Sequence, residues 1–140
     1  VDLLPEVKAF LSRGTLASFV GGKRVESKRG EVVPTLNPGS GEKLADVHDL
    51  DASQIDQAID VANAAFKSTG WSTMPTNERS AMLHRLADAV EKQKAIIGQI
   101  ESLDAGKIYA QACGDVQNFV DTIRYFADMA LHMNRRTTLA

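Results

Sequence analysis

The seven residues Glu101-Ser102-Leu103-Asp104-Ala105-Gly106-Lys107 divide the second half of this 140-residue chain into two amphipathic runs, one over 76–105 and one from 108 to about 133. Gly106 stands just past the last apolar-periodic residue of the first run. A helix commonly ends there in a left-handed residue, a conformation glycine adopts without Cβ strain. Lys107 then places positive charge beside the last unpaired carbonyls, at the negative end of the helix dipole. The stretch predicts the corner of a helical hairpin, with Glu101 and Asp104 three apart on one face.

The stripes on either side support that corner. Met82, Leu86, Val90, Ile97, Ile100 and Leu103 form the first, behind Thr76 as a helix N-cap and Glu78 in the first turn. Unbroken, residues 76–105 would make about 45 Å of helix at 1.5 Å per residue, and Gly98 is the expected weak point. The second stripe is Ile108, Ala112, Val116, Phe119, Ile123, Phe126 and Ala130. Gly114 inside it costs about 1 kcal/mol against alanine; a close contact with the preceding helix would account for it. An earlier helix begins at Ser53, whose hydroxyl is expected to cap it with Asp56 at the reciprocal position. Its face is Ile55, Ala58, Ile59, Ala62, Ala65 and Phe66, and Gly70 and Trp71 close it.

The first fifty residues have a different rhythm. Leu3, Leu4, Val7, Phe10 and Leu11 fall at helical spacing, and Gly14 ends that segment. Gly21-Gly22 between Phe19 and Val25 supplies the positive φ angles of a two-residue hairpin turn. Val32-Val33-Pro34-Thr35-Leu36 reads as an extended stretch whose proline, lacking a donor, confines it to an edge or end of a sheet. Asn37-Pro38-Gly39-Ser40-Gly41 is a turn cluster, and residues 44–50 return as a strand. The expected fold is a small antiparallel β unit followed by three α-helices. Its expected partition is an N-terminal helical arm (1–18), an antiparallel hairpin with edge strands (19–50), a three-helix part (53–134) and a truncated connection (135–140).

A net charge of −2 and a pI near 5.9 give no basic footprint for nucleic acid. No apolar run approaches the ~20 residues of a membrane span, and the start lacks a basic, then apolar, leader. One cysteine, Cys113, excludes an internal disulfide and suits a reducing cytoplasm. Local chemistry is sparse. Gly22-Lys23 resembles the end of a phosphate loop, but Ala17 stands where its first glycine belongs and Arg24 where Ser or Thr belongs, so a hairpin is the better reading. His48, His84 and His132 are far apart in sequence and none pairs at ligand spacing. Cys113 has no local signature of a nucleophile and reads as a buried, inert thiol. No catalytic or cofactor-binding residue is assigned within these 140 positions.

A set of ordered motifs points further. Thr35-Leu36-Asn37-Pro38 through Gly41-Glu42 resembles the turn near the start of aldehyde dehydrogenases. Ala64-Ala65-Phe66, Trp71, Arg79, Leu86-Ala87-Asp88, Glu101-x-x-Asp104-x-Gly106-Lys107 and Arg124-Tyr125-Phe126-Ala127 follow in that family's order and spacing. The resemblance covers residues 19 to about 133. It implies an α/β protein in which this segment opens a Rossmann-like coenzyme-binding domain, using NAD or NADP to oxidise an aldehyde to an acid. The family's catalytic cysteine, glutamate and oxyanion-hole asparagine have no matching positions here, and Cys113 does not match the nucleophile.

The expected partners are the remainder of such a chain and, through it, a homo-oligomer. The segment 4–11 is similar to arms on some members acting on aromatic aldehydes. The resemblance also implies a Na⁺ or K⁺ site at Asp104 with the carbonyls of Thr35 and Leu36. The segment alone is expected to be inactive, and to self-associate through helix faces that later parts of the chain would cover. The alternative is a free-standing helical interaction module without catalysis, docking a partner along its apolar stripes.

Overall fold

The computed structural model describes residues 2–68 and 70–132. Their order is α1 (Pro5–Leu11), β1 (Thr15–Leu16), β2 (Ser18–Val20), β3 (Lys23–Val25), β4 (Val32–Leu36), β5 (Lys43–His48), α2 (Ala52–Ser68), α3 (Thr76–Lys92), α4 (Lys94–Ala105) and α5 (Tyr109–His132). The expected connection 135–140 lies outside the described residues.

The β unit is not purely antiparallel. β4 and β5 pair antiparallel, but β1 lies parallel to β5 on its other side, giving the order β1-β5-β4. The arm is therefore not helical throughout. Gly14, at φ 76°, turns the chain after α1, and its carbonyl accepts a bond from Asp46 N at 2.9 Å. β2 and β3 form the separate expected hairpin, with Gly21 and Gly22 both at positive φ. Pro34 sits on an edge strand as expected. The β4–β5 register slips between Thr35 and Leu36, which face Ala45 and Lys43 and leave Leu44 unopposed.

Two helix starts differ from expectation. Asp51, not Ser53, caps α2: its Oδ1 accepts from Gln54 N at 2.9 Å and from the Ser53 hydroxyl at 2.7 Å. The bond from Ser53, then that from Gln54, hold the Asp51 carboxyl below its ordinary value. Pro75 occupies the N-cap of α3, so Thr76 is already helical.

The run 76–105 is two helices, so among the described residues four helices rather than three follow the strands. The break is at Gln93 (φ −100°, ψ 6°), not at Gly98. Gly98 lies within α4, where a Cβ would come 2.7 Å from Cys113 Sγ and 3.2 Å from Cys113 N. Its missing side chain lets α4 and α5 approach. Gly114 has no such role: nothing lies within 4 Å of the Cβ it lacks. The buried face of α5 is Ala112, Val116, Val120 and Ala127, while Phe119 and Phe126 of the expected stripe are exposed. On α3 the buried residues are Ser80 and Ala87, with Met82 and Leu86 turned outward. Small residues set these contacts, so the larger apolar side chains are left outside them.

Across the α3–α5 seam, Arg124 reaches Asp88 at 2.8 Å and Glu91 at 2.7 Å, and His84 meets Asp128 at 2.9 Å. Two buried glutamines tie down extended backbone in the same way. Gln99 accepts from Leu4 N at 2.7 Å and donates to Asp2 O at 3.1 Å. Gln54 accepts from Lys28 N at 3.1 Å and donates to Glu26 O at 2.9 Å. By contrast, the apolar side of α2 has no cover among the described residues: Ile59 is 62% and Phe66 80% exposed.

The two glycines give opposite predictions for urea unfolding of the full-length protein. Gly98→Ala should destabilise by about 1–3 kcal/mol through overpacking against Cys113. Gly114→Ala should stabilise by up to about 1 kcal/mol through helix propensity. Equal effects of the two would contradict the α4–α5 packing described.

Candidate functional site

The helical corner has a built partner. α4 ends at Gly106 in the left-handed conformation (φ 69°, ψ 16°), and the Ser102 hydroxyl donates to Lys107 O at 2.7 Å, tightening the turn. A Cβ on Gly106 would lie 2.9 Å from Pro38 Cγ. Pro38 belongs to the β4–β5 turn, held from within by Asn37: its Oδ1 accepts from Gly39 N at 2.9 Å and its carbonyl from Gly41 N at 2.7 Å. One residue before that turn's strand ends, the Thr35 hydroxyl donates to Asp104 Oδ1.

The structure thus brings together two of the three residues of the expected cation site, Thr35 and Asp104, through the threonine side chain. Leu36 follows on the same edge strand, about half exposed. Asp104 sits in the last turn of α4, which contains no basic residue, where a negative charge opposes the helix dipole. Lys107 does not offset it. Its ammonium lies 2.7 Å from both Glu101 Oε1 and Asp115 Oδ2, tying α4 to α5 rather than serving the last carbonyls. Those two carboxylates, Asp115 foremost, raise the lysine above its ordinary value. Among the described residues, no lysine, arginine or histidine forms an ion pair with Asp104. A carboxylate beside a hydroxyl is a hard-oxygen donor set, which suits an alkali cation and not a soft metal.

The remaining candidates stay apart. No group of three His, Cys, Asp or Glu side chains among the described residues could hold a metal ion. His84 is taken by Asp128, and His48 Nδ1 is buried without a partner. Cys113 is half-buried against Gly98, and its hydrogen bond with Tyr109 holds that phenol above its ordinary value. Gly21-Gly22-Lys23 is a hairpin turn. Sequence reasoning missed Gln54 and Gln99, and it named Arg124 only within a family motif, without its carboxylate partners. Of these roles only that of Arg124 left a trace, in the Asp88 and Glu91 carboxylates three apart on α3.

These residues define a docking frame, a helical corner locked onto an Asn-Pro turn. The chain belongs to the aldehyde dehydrogenase family, whose sequence model matches residues 25–140. It is 35% identical over 132 residues to human retinal dehydrogenase 2, covering 93% of this chain and 26% of that protein. It is 33% identical over 138 residues to the putative aldehyde dehydrogenase DhaS of Bacillus subtilis, covering 98% of this chain and 28% of that one. Among solved structures, an aldehyde dehydrogenase from Bacillus cereus in complex with NAD+ superimposes with a TM-score of 0.84 at 35% identity, covering 91% of this chain and 26% of that chain. The chain thus spans about a quarter of the length of these relatives. No helix among the described residues is long and apolar enough to cross a membrane.

Two predictions follow from the frame and its seam. Gly106→Ala should cost about 1–2 kcal/mol for the left-handed conformation and a further penalty for the collision with Pro38. Gly41→Ala, at φ 73° with open space around it, should cost only the first part; equal losses in full-length unfolding would remove the docking contact.

Acid should weaken the α3–α5 seam. Hydrogen bonds from Arg124 hold Asp88 and Glu91 below the usual carboxylate range. A carboxyl lowered on folding contributes stability above its unfolded value and loses it as pH falls through the folded one. Urea midpoints of the full-length protein should therefore decline below about pH 5, and Arg124→Met should flatten that decline. An unchanged acid profile in the variant would show that the seam does not carry it.

Proposed function

We propose that this chain is the N-terminal segment of an NAD(P)-dependent aldehyde dehydrogenase, and that residues 53–134 are part of a Rossmann-like coenzyme-binding domain completed by chain beyond residue 140. The observation that carries this reading is the joint match of sequence and backbone to an aldehyde dehydrogenase seen with NAD+. In the complete protein, a cysteine outside this segment attacks the aldehyde to give a thiohemiacetal. A nicotinamide coenzyme, held by chain outside this segment, would supply the hydride acceptor there, and a glutamate outside it would activate the water that releases the acid. This segment contributes no reacting group. Residues 1–18 act as an arm, and 19–50 as the layer onto which the helical corner docks. A homo-oligomer fits the family.

Asp104, Thr35 and Leu36 form the monovalent-cation site of this reading. Asp104 supplies the charge and hydroxyl-bonded oxygen, and the edge strand supplies carbonyls. A bound ion would relieve the acid at the helix end and strengthen the corner's hold on the turn.

The test uses the full-length protein and the purified 1–140 segment, each with NAD and NADP over a panel of aldehydes. The full-length protein should reduce coenzyme and the segment should not. Turnover by the segment that is lost in Cys113→Ala would overturn the reading. In parallel, the full-length Tm should be higher in Na⁺ or K⁺ than in tetramethylammonium at equal ionic strength, and Asp104→Asn should erase the difference. A salt-independent Tm would remove the cation site while leaving the dehydrogenase reading standing.

A further inference from the structure

Between the arm, the three-stranded sheet and α4 lies a cavity of about 270 Å³. Phe10 from the arm, Leu16, Leu44 and Val47 from the sheet, and Ile100 and Leu103 from α4 make its walls apolar. Leu44 and Ala45 both line it although they are consecutive on β5. A regular strand sends neighbours to opposite faces; the slip in register at Thr35/Leu36, which leaves Leu44 unopposed, allows both to face one space. Among the described residues, the polar side chains on the lining are Thr35 and Asp104.

The cavity therefore combines apolar walls with an exposed carboxylate at its mouth, at the negative end of a helix, that forms no ion pair among the described residues. An ionised carboxylate has about four acceptor sites, and the Thr35 hydroxyl occupies one. A bare alkali ion would answer the charge and leave the apolar space unfilled. A fatty acid or other carboxylate would bring like charge against Asp104, and a neutral alcohol or aldehyde would gain nothing from its charge. A primary ammonium group on an alkyl chain answers both features, with three donors for the oxygens and methylenes for the walls.

We propose that this cavity is a binding site for a short-chain primary alkylammonium ion, its head on Asp104 and Thr35 and its chain against Leu44, Ile100 and Leu103. The site rests on the Asp104 carboxylate being open to a cation, and not on the dehydrogenase reaction. An alkylammonium and an alkali ion would compete for the same oxygens.

Calorimetric titration of the full-length protein at fixed ionic strength tests it, with ethyl-, n-butyl- and n-hexylammonium, tetramethylammonium, n-butanol and butyrate as probes. Affinity should rise about fourfold per methylene until the cavity is filled, the equivalent of about 0.8 kcal/mol each. Butanol, butyrate and tetramethylammonium should bind at least tenfold more weakly than butylammonium, on the order of one lost charge-assisted hydrogen bond. Asp104→Asn should weaken butylammonium by a similar factor. Ala45→Leu, which fills the cavity and spares Asp104, should abolish the chain-length dependence while leaving any Na⁺ response of Tm in place. Since either variant can perturb folding, methyl NMR of the wild-type protein gives an independent readout: Ile100 and Leu103 signals should shift on titration with butylammonium. Absence of saturable binding, affinity independent of chain length, equal binding of butanol, or unshifted Ile100 and Leu103 methyls would each overturn the proposal. A Na⁺-dependent Tm without alkylammonium binding would overturn it alone and leave the alkali-ion site intact; the reverse result would do the opposite.

Discussion

The absent side chain of Gly106 lets the helical corner close onto Pro38. A Cβ at that position would stand 2.9 Å from the proline ring, and the backbone there is left-handed, so one residue meets two separate demands for glycine. Everything on the sheet side of the segment depends on that approach. It brings the end of α4 beside the end of β4, where the Thr35 hydroxyl finds Asp104. It also sets one wall of the cavity beneath the arm, since Ile100 and Leu103 lie on the last turns of the same helix. Lys107, freed from the helix end, spans Glu101 and Asp115 and fixes the direction in which α5 leaves.

A second glycine does the equivalent work along the helices. Gly98 brings α4 against α5 at Cys113, while Ala112, Val116, Val120 and Ala127 line the buried side of α5. Seams built from small residues bury little apolar area each, and polar ties supplement them. Arg124 clamps two carboxylates of α3, and the nearly fully buried Gln99 and Gln54 each hold two backbone groups of chain that has no regular partner. The outward aromatic and aliphatic residues of α2 and α5, Phe66 and Phe126 among them, are the reverse side of the same design. Their exposure agrees with a segment that spans about a quarter of its relatives' length.

Local chemistry made much of this visible in the sequence. Gly106 as a left-handed cap, Gly21-Gly22 as a hairpin turn and Pro34 on an edge strand all follow from backbone rules that act within a few residues, whereas the ordered motifs were read by resemblance to the family. What stayed hidden depends on distant partners. Periodicity placed Phe119 and Phe126 on the packed stripe because they are apolar, yet the neighbouring helices approach along alanines and valines. Gly98 looked like a weak point because an isolated helix pays no attention to Cys113 on another one. The parallel pairing of β1 with β5 is two residues long, too short to leave a pattern. Of the candidate site, Thr35 and Asp104 were legible through the motif, but the threonine hydroxyl as the contact and the cavity beside it required the fold.

The most direct measurement is a double-mutant cycle between Gly106→Ala and Pro38→Ala, read as unfolding free energy of the full-length protein. If the corner closes on the proline ring, Gly106→Ala is less costly once that ring is gone, and the coupling should be on the order of 0.5–3 kcal/mol. Additive losses, with no coupling, would mean that the corner and the turn do not touch, and the account of this segment as a docked frame would be wrong.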